Sequence, residues 1–391
     1  MLEPTNLWAR AWRFQPRTDK IMSHGRLIHP SRSSGNTLSF SQEKHAGTGW
    51  SSAGAGLLQF RPKVWVKNAA VQGRVLRAAA LFARPCAVVL MYHSVVEEPE
   101  QTANTIRISH SRANFESQMS ALSRRFNPVS IEQVMEFAAN GRHLPPWSVA
   151  VTFDDGFADN YDVALPILSR YGIPATFYIM VNAVETGTPP WYVRLNFSFS
   201  TTTVTAWKHP ENGQTFEIAS ADGKKAALNA AWDLGAARSG TAQEQLIHQV
   251  EESLQIEALD ARSGLMMNWD QVRALKKAGH IIGGHTLSHP NLAQVTEAEA
   301  RSEIRGCKER LEEKLSEPIH HFSYPHPALN PHWSPQTLEI TREAGFRSAV
   351  LTTPGSVLPG DQPLSLKRIP AGKDFDLWIW RLEYAFLGGI S

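Results

Sequence analysis

Seven of the 15 histidines fall between His280 and His332. Two of them, His285 and His289, stand four residues apart in the run His285-Thr286-Leu287-Ser288-His289-Pro290. On a helical turn that spacing puts two imidazoles on one face, suited to a single metal ion. Two surface histidines are the other reading of the pair taken alone. A zinc-peptidase helix needs Glu directly after the first His. Thr286 stands there, so that chemistry is excluded. Upstream, Asp154-Asp155-Gly156 closes the apolar run Ser148–Phe153 (SVAVTF). Adjacent carboxylates are unfavourable unless something uses their charge. Inside a strand they would point to opposite faces. At a strand's C-terminal end, with Gly156 to turn the backbone, both can lean into one pocket. The alternative is an Asx turn in which one Asp caps the next helix. Together the two sites offer one Asp and two His, a facial ligand set with open positions for water and substrate. The remaining Asp would serve as general base.

Both sites need strand ends to present them. Ala87–Tyr92 (AVVLMY) and SVAVTF read as short buried strands, as do Ala175–Val181, His280–Gly283, His321–Tyr324, Ser348–Leu351 and Leu364–Ile369. Helices are expected over Ser111–Arg125 and from Ser130 to Asn140, each opened by a serine cap. Further helices are expected over Asn160–Tyr171, Trp269–Ala278, Thr296–Leu315, Pro335–Ala344 and Phe375–Leu387. Such alternation implies βα units and a mostly parallel sheet. In βα barrels the active site gathers at the C-terminal ends of the strands. Gly283 and Gly284 are expected to let the chain swing out of its strand before His285. Residues 182–262 break the rhythm. There Thr201–Thr205 and Thr215–Ile218 suggest a hairpin around Glu211-Asn212-Gly213. Helices over Lys224–Ala237 and Ala242–Gln255 follow, and the stretch reads as an insertion on one face of the barrel, where insertions often shape a substrate surface.

The chain has 391 residues, 42% hydrophobic and 19% charged, which suits a sizeable core and excludes global disorder. Lys+Arg 39 against Asp+Glu 37 leaves +2, so no general nucleic-acid binder is indicated. Cys86 and Cys307 cannot form a disulfide framework. The longest apolar candidate, Ala78–Val96, is interrupted by Arg84, Pro85 and His93, so no transmembrane helix is expected. No serine nucleophile elbow or phosphate-cradling glycine loop appears. Residues 1–60 read as a disordered or linker-like tail, with Ser, Gly, Thr, Asn and Ala dominating Ser33–Gly56. Its arginines, among them Arg10, Arg13 and Arg17, admit a targeting segment or an early start codon, with Met22 as the later start. No secretory apolar region is visible. Residues 61–86 form a lead-in whose amphipathic helix, 62–83, packs on the following domain or lies on a membrane surface. The catalytic domain is expected over 87–391, and the compartment stays open among the cytoplasm, the membrane periphery and the outside after leaderless export.

The runs VTFDDGFADN (Val151–Asn160) and HTLSHP (His285–Pro290) resemble the two signature motifs of the NodB-type polysaccharide deacetylases, carbohydrate esterase family 4. LMYHSV (Leu90–Val95), FSYP (Phe322–Pro325), GFRSAV (Gly345–Val350) and LKRIP (Leu366–Pro370) resemble its exopolysaccharide deacetylase branch. The resemblance covers about 87–181 and 265–370. It implies a distorted, incomplete (β/α) barrel and one divalent metal ion, zinc above all. It implies hydrolysis of N-acetyl groups on a GlcNAc-containing polysaccharide or oligosaccharide. By motif, Asp155, His285 and His289 would hold the metal, and Asp154 would take the proton of the attacking water. A backbone N–H in Tyr324–Pro327 would hold the oxyanion; His326 is the donor, since Pro325 and Pro327 have none. Where the best-known members carry an arginine orienting the base, this chain has Ser323, and Arg368 would supply that cation instead. The general acid falls to His93 or His326, with His93 preferred for its place in the branch's first-strand motif. O-acetyl ester hydrolysis, or a glycan-binding protein without catalysis, are the alternatives. Trp191-Tyr192 reads as core packing or a sugar-stacking pair. His320-His321 would split, one side chain inward and one outward.

Overall fold

The computed structural model describes residues 84–97 and 108–388. The tail expected over 1–60 and the helix expected over 62–83 lie outside them. In chain order the strands are β1 Ala87–Tyr92, β2 Ser94–Val96, β3 Ser109–Ser111, β4 Asn127–Pro128, β5 Ser148–Phe153 and β6 Ala175–Ile179. They continue as β7 Ala206–Lys208, β8 Thr215–Glu217, β9 Ile281–Gly284, β10 His321–Ser323, β11 Ser348–Val350 and β12 Ile369–Pro370. The helices are α1 Arg112–Arg125, α2 Ile131–Asn140, α3 Leu165–Tyr171, α4 Val181–Thr186, α5 Trp191–Thr201 and α6 Ala221–Ala236. After them come α7 Gly240–Ser253, α8 Trp269–Lys277, α9 Glu297–Leu315, α10 Pro335–Glu343 and α11 Phe375–Ala385.

The main sheet is parallel throughout, in the order β11-β10-β9-β6-β5-β1-β12, with β4 beside the start of β5. Every residue of β1 and β5 is buried, because helices cover one face and the barrel interior the other. Alternate residues serve the two faces. Val88, Leu90 and Tyr92 join one core with Phe115, Phe153 and Phe177, while Ala87 and Val89 join another with Ala150, Tyr178 and Leu366. The register pairs Tyr92 with Phe153, Ile179 with Gly284 and Ser323 with Val350. Phe153 pairs with Phe177, so β6 runs two residues beyond β5, and Asp154 and Asp155 emerge beside its last residues.

The strand expected over Leu364–Ile369 divides. Pro363–Ser365 is a 3₁₀ turn, Leu366 bridges to Val350 of β11, and Ile369–Pro370 pair with Leu90–Met91 of β1. One short segment thus crosses from one edge of the sheet to the other, and the fold is a parallel half-barrel whose gap this segment spans. The helix expected over Asn160–Tyr171 also divides, into a π-helical turn Asn160–Ala164 and α3. Pro166, in the first turn of α3, cannot donate to an upstream carbonyl, which accounts for the break in the ladder.

Between β6 and β9 the inserted elements build a core of their own around Trp191, Leu195, Phe199, Trp207 and Ile247. The expected hairpin is present but starts later, with Ala206–Lys208 antiparallel to Thr215–Glu217. Thr202 does not extend as a strand. Its hydroxyl donates to Leu254 O at 2.7 Å and accepts from Val204 N at 3.1 Å, a local competition that ends α5 instead. Arg194 and Glu251, buried within the insertion, form a two-pronged pair at 2.8 and 2.6 Å. No described helix is long and apolar enough to cross a membrane.

Candidate active site

Asp154 and Asp155 leave β5 side by side, 2% and 1% exposed. Asp155 has φ +79° and Gly156 φ +89°, so the backbone reverses at once and both carboxylates turn into the barrel mouth. β6 separates them from the histidines and sets the spacing. Met180 N donates to Asp155 O at 3.4 Å, and His285 N donates to Ile179 O at 2.9 Å.

The run His285–His289 is not a helical turn. It is a loop in which Thr286 and His289 take φ +65° and +60°. A β-branched residue rarely adopts that conformation, and each such position costs about 1–3 kcal/mol. Local bonds offset it, since Thr286 Oγ1 accepts from His289 N at 2.9 Å. Gly283 and Gly284 serve close packing rather than a swing of the chain. A Cβ on Gly283 would lie 2.6 Å from the Tyr178 ring, and one on Gly284 2.9 Å from Cys307 Sγ.

The loop aims both imidazoles at Asp155. His285 Nε2 lies 3.3 Å and His289 Nε2 3.6 Å from Asp155 Oδ1. Neither contact is an aligned hydrogen bond, and both Asp155 oxygens are buried without a hydrogen-bond partner. The three ligand atoms lie within 4.8 Å of one another. A buried carboxylate left unsatisfied opposite two imidazole nitrogens fits a divalent cation. His285 Nδ1 lies 2.7 Å from Ser323 O, and a carbonyl only accepts, so Nδ1 carries the proton and Nε2 offers its lone pair. Burial raises the Asp155 pKa, but His285, His93 and His289 outweigh it and hold the group below the usual range. Burial is also the main force on His289, pushing it down to about 3 and favouring the neutral, ligating form.

Asp154 has a different environment. Arg368 Nη1 donates to Oδ1 at 2.8 Å and Nη2 to Oδ2 at 2.7 Å, while Nε donates to Leu351 O at 2.9 Å. Ser323 Oγ donates to Asp154 Oδ2 at 3.3 Å and accepts from Arg368 Nη2 at 3.0 Å. The guanidinium comes from the segment that crosses the barrel gap. Burial raises the Asp154 pKa, but the Arg368 charge, then His285, the Arg368 bonds and His93 together more than offset it, so the net direction is downward. Arg368 is 0% exposed, and breaking a buried pair by removing one partner typically costs about 3–5 kcal/mol. Arg368→Met should lose about that much in urea unfolding of the metal-free protein; an unchanged midpoint would show that the pair contributes nothing net. Because the folded pKa of Asp154 is depressed, its contribution is present above about pH 4 and lost on further acidification. The gap between wild type and variant should therefore narrow at low pH.

His93 follows β1 and is half-buried beside the pair. Burial lowers its pKa, against the raising charges of Asp155 and Asp154. Its neighbours are clamped. Asp159 accepts from Ser94 Oγ at 2.5 Å and Val95 N at 3.0 Å, and Asn160 Nδ2 donates to His93 O at 2.6 Å. His326 sits apart on the rim, its Nδ1 2.9 Å from Thr352 Oγ1 and its ring stacked on His332 at 4.0 Å. Tyr324 N, in the same loop, donates to Val350 O at 3.1 Å.

Trp191 and Tyr192 are 3% and 7% exposed, which is packing rather than a sugar platform. Trp191 Nε1 donates to His289 O at 3.1 Å, and the Tyr192 ring lies 4.9 Å from that of His289. The Tyr192 hydroxyl is buried beside Asp155. His321 is buried against Ser348 and Glu132, while His320 is only partly covered. Sequence reasoning missed Asp159 and Glu303, and read Tyr192 as core packing or half of a sugar-stacking pair rather than as a neighbour of Asp155 and His289. For Glu303 a signal existed, because it shares the apolar stripe of α9 with Ala300, Ile304, Cys307 and Leu311.

A paired carboxylate next to an unpaired one that faces two imidazoles, all at the strand ends of a parallel half-barrel, is the equipment of a hydrolase. The family model described as polysaccharide deacetylase matches residues 141–349, over half of the chain, and the chain belongs to that family. Over 102 residues it is 33% identical to the poly-beta-1,6-N-acetyl-D-glucosamine N-deacetylase of Escherichia coli K12, covering 25% of this chain and 14% of that protein. Over 97 residues it is 28% identical to YxkH of Bacillus subtilis, covering 25% of this chain and 32% of that one. The matched stretch is thus a third or less of either relative's length. Among solved structures, the Streptococcus pyogenes deacetylase PplD in complex with acetate aligns with TM-score 0.52 at 20% identity, over 78% of this chain and 99% of that one. IcaB from Ammonifex degensii aligns with TM-score 0.51 at 20% identity, over the same shares. Both share the fold.

Proposed function

We propose that the protein removes N-acetyl groups from a poly-N-acetylglucosamine-type polysaccharide, with zinc as its divalent ion. The observation that carries this reading is the division of labour between adjacent carboxylates. Asp154 is locked by Arg368, while Asp155 faces two imidazole nitrogens with no hydrogen-bond partner. The identity to the Escherichia coli enzyme supports the choice of glycan.

Asp155, His285 and His289 would hold the ion. When bound, a divalent ion acidifies water and polarises the acetyl carbonyl. Asp154 takes the proton of the attacking water. Arg368 and Ser323 keep that carboxylate ionised and fix its orientation, as a general base requires. The backbone N–H of His326 donates to the oxyanion of the acetyl group. His93 gives a proton to the departing amine.

Purified protein should release acetate from β-1,6-linked N-acetylglucosamine oligomers faster than from chitin oligomers or peptidoglycan. A chelator should stop the release, and added zinc should restore it. Acetate released only from O-acetylated sugars, or from none of these substrates, would overturn the reading.

A further inference from the structure

The chemistry just described makes no use of the buried carboxylate of Glu303. It lies on α9, 3% exposed, and both its oxygens are turned to the loop between the two histidines. Oε2 accepts from Leu287 N at 2.8 Å and from Ser288 N at 2.9 Å, and Oε1 accepts from Ser288 Oγ at 2.5 Å. Leu287 and Ser288 are interior to the run that His285 and His289 terminate. Among the described residues Glu303 forms no ion pair with Lys or Arg. A buried carboxylate is unfavourable unless donors compensate it. All three donors come from these two loop residues, so the compensation exists only while the loop keeps the shape that aims them. That shape includes the left-handed Thr286 and His289, which the loop would not adopt unaided. The Ser288 hydroxyl also accepts from Gly240 N at 3.1 Å, so the same grip reaches the first residue of α7.

We propose that Glu303 is a positioning residue that holds the His285–His289 loop in its metal-binding conformation. This rests on the reading of Asp155, His285 and His289 as metal ligands. Outer partners that orient metal ligands typically contribute 10–100-fold in affinity. The full chain should be stripped of metal, checked for fold by circular dichroism, and titrated with zinc against a chromophoric chelator. Glu303→Gln keeps the size but loses the charge and half the accepting capacity. Its zinc affinity should fall by about 10–100-fold. Ser288→Ala removes one of the three donors, should fold without difficulty, and should lose a smaller factor in the same direction. Glu303→Asp, which keeps the charge on a shorter arm, should lie between Glu303→Gln and wild type. A purely structural role would lower the melting temperature of Glu303→Gln and leave the zinc affinity of the folded protein untouched; that result would overturn the proposal. If Glu303→Gln does not fold, wild-type affinity in Ser288→Ala overturns it and a weakened affinity supports it. Wild-type protein that binds no zinc would bring down the metal site itself, and this proposal with it.

Discussion

The His285→Ala/His289→Ala double variant should bind no zinc and release no acetate. Removing both imidazoles leaves Asp155 as the last of the three ligand groups, too few to hold a divalent ion in a closed tetrahedral or open catalytic site. His285 also donates to Ser323 O. That carbonyl would be left without its imidazole donor, so the variant should melt somewhat below wild type while retaining its circular dichroism spectrum. Zinc content of the purified protein and acetate release at saturating substrate are the two measurements. Full zinc occupancy in a folded double variant would sink the ligand assignment whatever the activity.

Asp154→Asn should keep its zinc and lose turnover. Asn retains the shape but cannot accept a proton, and a positioned general base is worth about 10²–10⁴-fold. The drop belongs in kcat, with KM little changed, because Asp154 acts on the attacking water and not on the sugar. The variant also leaves Arg368 buried opposite a neutral amide, so it should unfold at lower urea than wild type. Asp155→Asn should do the opposite and weaken zinc binding first. If Asp154→Asn strips the metal while Asp155→Asn keeps it, the two roles are exchanged. Near-full turnover in both variants would refute the mechanism.

Much of this was legible before any coordinates. The runs AVVLMY and SVAVTF coincide with β1 and β5 residue for residue, since strands buried on both faces are continuous apolar blocks with sharp ends. Helix starts at Ser111, Ser130 and Thr296 were marked by side chains that accept from the first turn. The ligand loop was not legible in the same way. A spacing of four between histidines is what a helix would give, and here two left-handed residues produce it instead. Nothing in Thr286 or His289 announces that conformation, because it is imposed from outside by Glu303 and by the end of β6. The insertion shows the same limit. Thr201–Thr205 has strand composition, but the burial of Trp191, Leu195 and Phe199 along one stripe carries the helix as far as Thr201. The contact between Arg368 and Asp154 spans 214 positions. Local pattern says nothing about such a pair, and only the resemblance of the LKRIP run to known relatives brought Arg368 into view.

The segment that crosses the barrel gap has a bearing on how the fold closes. It follows every other strand of the main sheet in chain order, and it brings the only guanidinium that touches Asp154 among the described residues. Without this segment, the buried Asp154 carboxylate would lack its guanidinium, which favours the protonated form. Sealing the barrel and arming the base are then one event, completed when Leu366 reaches β11 and Ile369 reaches β1.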